Sequence, residues 1–244
     1  MARLRGILFD LGDTLLNFGK VDIEGLFQKG TTLAYDYLKS IRQPLTTFSK
    51  FYRKQLWAIR WNYFKSRFTR REFNSLDVLG QVSRAMGHRL TNDQMLELAW
   101  KFYLPLRQQA TVEPGTRDLL LDFRRQGLTL GLVSNTFLPA EVLDRHLAES
   151  DLLDLLPYRV YSSGVFYRKP HPGIFAVALS QARLEAAETL FVGDSPSADI
   201  KGANRNGLIS VLKDPTARHK HTRHKPAHRI AKLEELREIV AGYA

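Results

Sequence analysis
Two short acidic segments, far apart in the chain, hold the residues whose types and spacing could do chemistry. ILFDLGDTLL carries Asp10 and Asp13, and LFVGDSPSADI carries Asp194 and Asp199. Each follows an apolar, strand-like run, Gly6-Ile7-Leu8-Phe9 in the first case and Thr189-Leu190-Phe191-Val192 in the second. Ligands of an open parallel sheet bind outside the carboxyl ends of the strands, so carboxylate loops at adjacent strand ends would meet there. Such a meeting of carboxylates suits a hard cation such as Mg²⁺.

The surrounding elements must supply that sheet. Residues 4–9 read as a buried strand, and from about 20 to 108 the chain reads as helical. In that stretch Phe48, Tyr52, Leu56, Ile59 and Tyr63 recur at helical spacing, as do Trp57, Trp61, Phe64 and Phe68 on a neighbouring face. Gly80 to Leu90 and Thr91 to Tyr103 predict two more helices, the second capped by Thr91 or Asn92. After Glu113-Pro114-Gly115 the pattern alternates. A helix closed by Gly127 leads to a strand, Leu128 to Val133, that ends at Ser134-Asn135. A helix (about 139–149), a strand (about 158–161), the loop Lys169-Pro170-His171-Pro172 and a helix to about 182 follow. Strands at 189–192 and 208–212 flank a helix from Ser197 to Asn206, and Arg229-Ile230 precedes a last helix at 232–241. Such alternation predicts a parallel sheet with right-handed crossovers, interrupted after its first strand by an all-helical insert.

The 244 residues suffice for one sizeable core and a smaller unit. With 44% hydrophobic and 25% charged residues, the composition is that of an ordinary globular protein. No apolar run is long enough for a membrane span, and the basic N-terminus runs into a strand without a signal-peptide pattern. Cysteine is absent, which excludes disulfide and thiolate chemistry. These features together lead us to expect a cytoplasmic protein. The formal charge of +11 is uneven: ten Lys/Arg and no Asp/Glu fall between Lys39 and Arg71. A second basic segment, Arg218 to Arg229, includes His219, His221, His224 and His228 but matches no defined metal-site spacing and reads as an exposed loop.

Four features thus stand in chain order: Asp10 after the first strand, Ser134 after the next core strand, Lys169 before Pro170, and Gly193-Asp194 with Asp199. This series, with GDSxxxDI and the trailing Gly202-Ala203-Asn204-x-x-Gly207, resembles the haloacid dehalogenase (HAD) superfamily, most of whose members are Mg²⁺-dependent phosphatases. The match covers residues 1–18 and about 110–240, and the helical block has the position and size of that family's helical cap. The resemblance implies an α/β fold. Residues 1–18 and 110–244 would form a Rossmann-like three-layer core with a parallel sheet, and residues 19–109 an inserted C1-type α-helical cap domain. Taken singly, each residue has a plainer reading. Asp10 could be a turn former, Ser134 a helix N-cap, Lys169 a solvated lysine and Asp199 an acid favoured in the first turn of a helix.

The roles implied by the resemblance are chemically coherent. Asp10 would be the nucleophile and form an aspartyl-phosphate. Asp10, the Gly12 carbonyl and Asp194 would hold Mg²⁺, which offsets charge between the attacking carboxylate and the phosphoryl oxygens. Ser134 and the Asn135 amide would bind the phosphoryl group, Lys169 would neutralise it, and Asp199 would orient Lys169 or a water on the metal. The family's phosphatases usually carry a second Asp two residues after the nucleophile, as general acid and base. Here that position is Gly12, and the acid stands at Asp13, on the opposite face of an extended segment unless a turn swings it inward. The implied function is hydrolysis of a small phosphorylated metabolite. Gly12 and the charge run favour a rival, a weakly active or inactive HAD-fold protein that binds an anion or partner through its basic cap. A metal-independent dehalogenase is disfavoured because that branch typically places an aromatic residue where Gly12 stands. In the basic aromatic stretch 48–73 most aromatics should face the cap's own core, which argues against nucleic acid. Arg60, Lys65 or Arg67 could face the cleft. Oligomeric state is left open.

Overall fold
The run Gly6–Phe9 (β1) buries all four of its residues, as a strand covered on both faces must. The computed structural model describes residues 3–69 and 75–243. Five further strands join β1: Thr129–Ser134 (β2), Tyr158–Tyr161 (β3), Thr189–Gly193 (β4), Ile209–Lys213 (β5) and His228–Ile230 (β6). Their order is β3-β2-β1-β4-β5-β6 and every pairing is parallel. The chain first builds the sheet outward from β1 to β3 and then restarts on the other side with β4. The switch point therefore falls between β1 and β4, where a crevice opens at the strand ends.

The helices described are Ile23–Ser40 (α1), Phe48–Thr69 (α2), Ser75–Ala85 (α3), Asn92–Gln109 (α4) and Thr116–Arg125 (α5). Ala140–Glu149 (α6), Ser162–Val165 (α7), Pro172–Ala182 (α8), Lys201–Arg205 (α9) and Leu236–Ala241 (α10) follow. Side chains alternate across the sheet. Ile7, Phe9, Leu130, Leu132, Leu190, Val192 and Val211 pack with residues of α5, α6 and α10 in one apolar cluster. Leu8, Val133, Val160 and Phe191 pack with residues of α8 and α9 in another. The result is the expected three-layer α/β arrangement.

Helices α1–α4 lie between β1 and α5 in the chain and have their own apolar centre, including Ala34, Leu38, Phe51, Met86 and Leu98. α4 also reaches the main core through Ala99, Trp100 and Tyr103. It begins with a capping box: Thr91 accepts the Gln94 amide at 3.2 Å and the Gln94 side chain accepts the Thr91 amide at 3.0 Å.

Several boundaries differ from the sequence reading. The helix expected over 80–90 spans Ser75–Ala85 and stops because Gly87 adopts φ 82°, beyond which a helix cannot continue. The helix expected from Ser197 divides into a π-turn at Pro196–Ile200 and the short α9. The expected burial of the α2 aromatics holds for Phe51, but Trp57 and Trp61 are 67% and 44% exposed and stack on one another at 5.8 Å. Arg60 lies exposed between them. The side chains of Lys65 and Arg67, and residues 70–74 of the aromatic stretch, lie outside the described residues.

A buried cation fastens the segments on which the chain leaves and re-enters the sheet layer. Lys213, at the end of β5, is 1% exposed. Its Nζ donates to the Thr14 carbonyl at 2.7 Å and to Asn17 Oδ1 at 3.0 Å, and pairs with Glu113 Oε1 at 2.6 Å. Asn17 and Thr111 form an antiparallel bridge between the two crossings. Burial opposes the Glu113 charge, but Lys213 and the Leu233 amide hold its carboxyl below the usual value. Removing one partner of a buried pair strands the other. Lys213→Met is therefore expected to lower unfolding free energy by about 3 kcal/mol, with part recovered in Lys213→Met/Glu113→Gln. Urea denaturation checks this, and a loss below about 1 kcal/mol would show that the tie is not needed.

Candidate active site
Asp10 leaves the end of β1 with its amide bonded to the Val192 carbonyl of β4 at 2.8 Å, and Asp194 follows the last residue of β4. The two carboxylates therefore start from paired strands at the switch point. Gly193 is required there by close approach: a Cβ on it would lie 2.5 Å from the Asp199 carboxyl carbon. The π-turn at 196–200 brings Asp199 back toward the strand end, where its Oδ2 accepts the Ser195 amide at 2.9 Å.

Lys169 arrives from the loop before α8 and is 4% exposed, which disposes of the solvated reading. Its Nζ donates to Asp10 Oδ1 at 2.6 Å and to the Val133 carbonyl at 2.7 Å. Asp199 Oδ1 lies 2.8 Å away, an ion pair rather than an aligned hydrogen bond. Burial opposes this charge, yet Asp10 and Asp199 outweigh it and hold the ammonium above the usual lysine value. The loop carrying Lys169 is clamped by Asn135, whose Oδ1 accepts the Lys169 amide at 2.7 Å and whose Nδ2 donates to the Lys169 carbonyl at 3.0 Å. The Lys169–Pro170 peptide is cis.

Carboxylates outnumber this cation. Asp10, Asp194 and Asp199 each offer an oxygen, all within 4.8 Å of one another. Burial pushes the Asp10 carboxyl up to about 6 against the pull of Lys169. Burial, then Asp199 and Asp10, push Asp194 up to about 7, with Arg218 opposing. Asp199 is committed to Lys169 and Ser195, Asp10 shares Lys169, and Arg218 reaches Asp194, so three carboxylates face two cations and one negative charge is left over. An all-oxygen donor set with uncompensated negative charge fits a hard divalent cation such as Mg²⁺.

The remaining expected residues are distributed as follows. Ser134 ends β2, 5% exposed. Asn135, expected to bind the phosphoryl group through its amide, uses its side chain as the clamp just described, a separate role. Gly12 forms a bridge with Leu16, and Asp13 takes φ 54° with its amide on the Leu16 carbonyl at 2.7 Å. The Asp13 side chain is exposed and accepts the Phe18 amide at 3.1 Å. It lies outside the group of three carboxylates that meet. One contact was missed by sequence reasoning: Arg218 Nη2 donates to Asp194 Oδ2 at 3.0 Å. Its only sequence signal was the basic segment that begins with it.

A family model described as haloacid dehalogenase-like hydrolase matches residues 4–207. A ribulose-1,5-bisphosphate 5-phosphatase of Halopiger xanaduensis is 30% identical over 152 residues, 58% of this chain and 61% of that one. The HAD-hydrolase YfnB of Bacillus subtilis is 27% identical over 242 residues, 98% of this chain and 97% of its own. Among solved structures, a 2-haloacid dehalogenase from Pseudomonas syringae pv. Tomato superposes with a TM-score of 0.67 at 22% identity, covering 99% of this chain and 100% of the other, a likeness of fold alone. With a family match over most of its length, the chain belongs to the haloacid dehalogenase-like hydrolases.

Proposed function
We propose that this protein is a Mg²⁺-dependent phosphoric monoester hydrolase that acts on a small phosphorylated metabolite through an aspartyl-phosphate. The observation that carries this reading is the buried Lys169 paired with Asp10 and Asp199 beside Asp194. Curated relatives named as phosphatases of ribulose bisphosphate, phosphoserine and phosphoglycolate support the reaction class. In this reading residues 1–18 and 110–244 are the core, and residues 19–109 a cap that covers the site and excludes water.

Asp10 attacks phosphorus as the bond to the ester oxygen breaks. The leaving alkoxide takes a proton from solvent; water then attacks phosphorus, losing a proton to solvent as the bond between phosphorus and the Asp10 oxygen breaks, which releases phosphate and restores the Asp10 carboxylate. Lys169 spreads positive charge over Asp10 and the phosphoryl oxygens without giving up a proton, hydrogen-bonded to Asp10 and Val133 and ion-paired with Asp199. Ser134 donates its hydroxyl to a phosphoryl oxygen. Asp199 and Asn135 position Lys169. Asp10, Asp194 and the Gly12 carbonyl would hold the cation, whose contribution when bound is to offset the charge shared by carboxylate and phosphoryl group. Carbon–halogen cleavage needs one nucleophilic carboxylate and no cation, so the carboxylate surplus favours phosphoryl chemistry. A second reading, a weakly active anion binder, draws on Gly12 and on the exposed Trp57, Arg60 and Trp61.

Asp10→Asn should reduce turnover of a panel of phosphorylated metabolites with Mg²⁺ by at least about 10³-fold while leaving the circular dichroism spectrum unchanged. Retained activity would remove Asp10 from the mechanism.

Burial holds the Asp10 and Asp194 carboxyls at about 6 and about 7, above the ordinary aspartate value of 3.8. Without metal, the folded state then binds more protons than the unfolded chain between about pH 4 and 7, so these groups favour folding at low pH and cost stability as pH rises through that window. Protons and cation compete for the same oxygens. Millimolar Mg²⁺ should accordingly raise the melting temperature more at pH 7.5 than at pH 5. An equal shift at both values would contradict the assigned ligands.

No acid stands at residue 12, and Asp13 is engaged by the Phe18 amide. Hydrolysis of an aryl phosphate should exceed that of a matched alkyl phosphate by about 10²-fold or more, because the alkoxide must find its proton elsewhere. A side chain at Gly12 has room, its Cβ meeting only the Phe18 ring at 3.5 Å. Gly12→Asp should narrow the gap, and equal native rates on both esters would show that another group supplies the proton.

A further inference from the structure
Between β5 and β6 the chain makes a basic loop, with four Lys/Arg and one acid between residues 214 and 227. That acid, Asp214, is nearly buried and organises the loop. It accepts the Arg218 amide at 3.0 Å and the His219 amide at 2.9 Å, and pairs with Arg229 at 3.3 Å. Ala217 closes the turn, its amide on the Asp214 carbonyl at 3.0 Å and its φ at 54°. A left-handed alanine costs free energy that its surroundings must offset, and such strain gathers where a side chain has to be aimed.

The side chain so aimed is Arg218. Its Nη2 meets Asp194 Oδ2 at 3.0 Å, and its Nε donates to His219 Nε2 at 3.0 Å. The side chain is 58% exposed, and Nη1 has no partner among the described residues. A surface pair of this kind adds little to stability. It is also costly for cation binding, because it sets a second positive charge on a carboxylate assigned to the metal. An anion placed between them would offset that repulsion, and a guanidinium fork with a free edge suits a carboxylate or phosphate.

We propose that Arg218 binds a second anionic group of the substrate, so that the preferred substrate is a short phosphate monoester that also carries a carboxylate or another phosphate. Specificity would then come partly from the sheet domain's own β5–β6 loop. This rests on the phosphatase reading, and two measurements keep the two apart.

Phosphate release from 3-phosphoglycerate and from glycerol 3-phosphate, with Mg²⁺, tests the reaction itself; release from neither would strike the parent reading. Calorimetric binding of 3-phosphonopropionate against propylphosphonate tests Arg218 independently, since neither phosphonate is an ester. The native protein should bind 3-phosphonopropionate about 10- to 100-fold more tightly, as expected for one charge-assisted contact. In Arg218→Gln that preference should shrink to within about 3-fold, with part retained in Arg218→Lys. A preference that is absent in the native protein, or unchanged in Arg218→Gln, overturns the assignment. A parallel Mg²⁺ titration reads whether Arg218 instead serves only to neutralise Asp194. Tighter Mg²⁺ binding in Arg218→Gln, with no change in phosphonate preference, would be that result.

Discussion
An ammonium shut away from water must be paired, and Lys169 is paired on every side. It meets Asp10 at 2.6 Å, Val133 at 2.7 Å and Asp199 at 2.8 Å, from three separate stretches of chain. One of those partners, Asp10, is a carboxylate whose own burial pushes it toward the neutral acid, against which Lys169 pulls. The arrangement ties the Asp10 loop after β1 to the end of β2 and to the π-turn after β4. It also keeps Asp10 from being a simple solvated acid. Breaking one member leaves uncompensated charge in a dry place, which is why the same contacts that assemble the site also cost the fold if disturbed.

The rest of the architecture serves that convergence. The restart of the sheet at β4 places two acid-bearing strand ends side by side at the switch point. Gly193 lets Asp199 fold back against the strand. Asn135 holds the backbone of the incoming lysine. Lys213 does a related task nearby, fastening Thr14, Asn17 and Glu113 so that the segment after Asp10 and the crossings of the helical insert share one anchor. Two buried lysines, on β5 and before α8, thus hold most of the polar framework around the switch point.

Much of this was legible in the chain itself, for physical reasons. Asp10 and Asp194 each follow a continuous apolar run, which only a doubly covered strand explains, and their place at strand ends follows from that. Lys169 could be ranked only by its position in a family-like order, since nothing local distinguishes a buried lysine from a solvated one. Other features depend on tertiary approach and leave no local trace. The reach of Arg218 to Asp194 spans 24 residues, and that of Lys213 to Thr14 spans 199. The left-handed turn at Asp13, and its bond to the Phe18 amide, override the simple alternation from which its side-chain direction was inferred. In α2 the helical period was right, but period alone does not say which stripe a neighbouring helix covers, and Trp57 and Trp61 remained outside.

The central claim is that phosphorus becomes bonded to the side chain of residue 10. Quenching the enzyme in mid-turnover with borohydride, which reduces an acyl phosphate but not a free carboxylate, and sequencing the peptides by mass spectrometry tests it directly. The account predicts homoserine in place of aspartate at position 10, only when substrate and Mg²⁺ are both present. Reduction at another residue, or an unmodified Asp10 in a sample shown to be turning over, would contradict it.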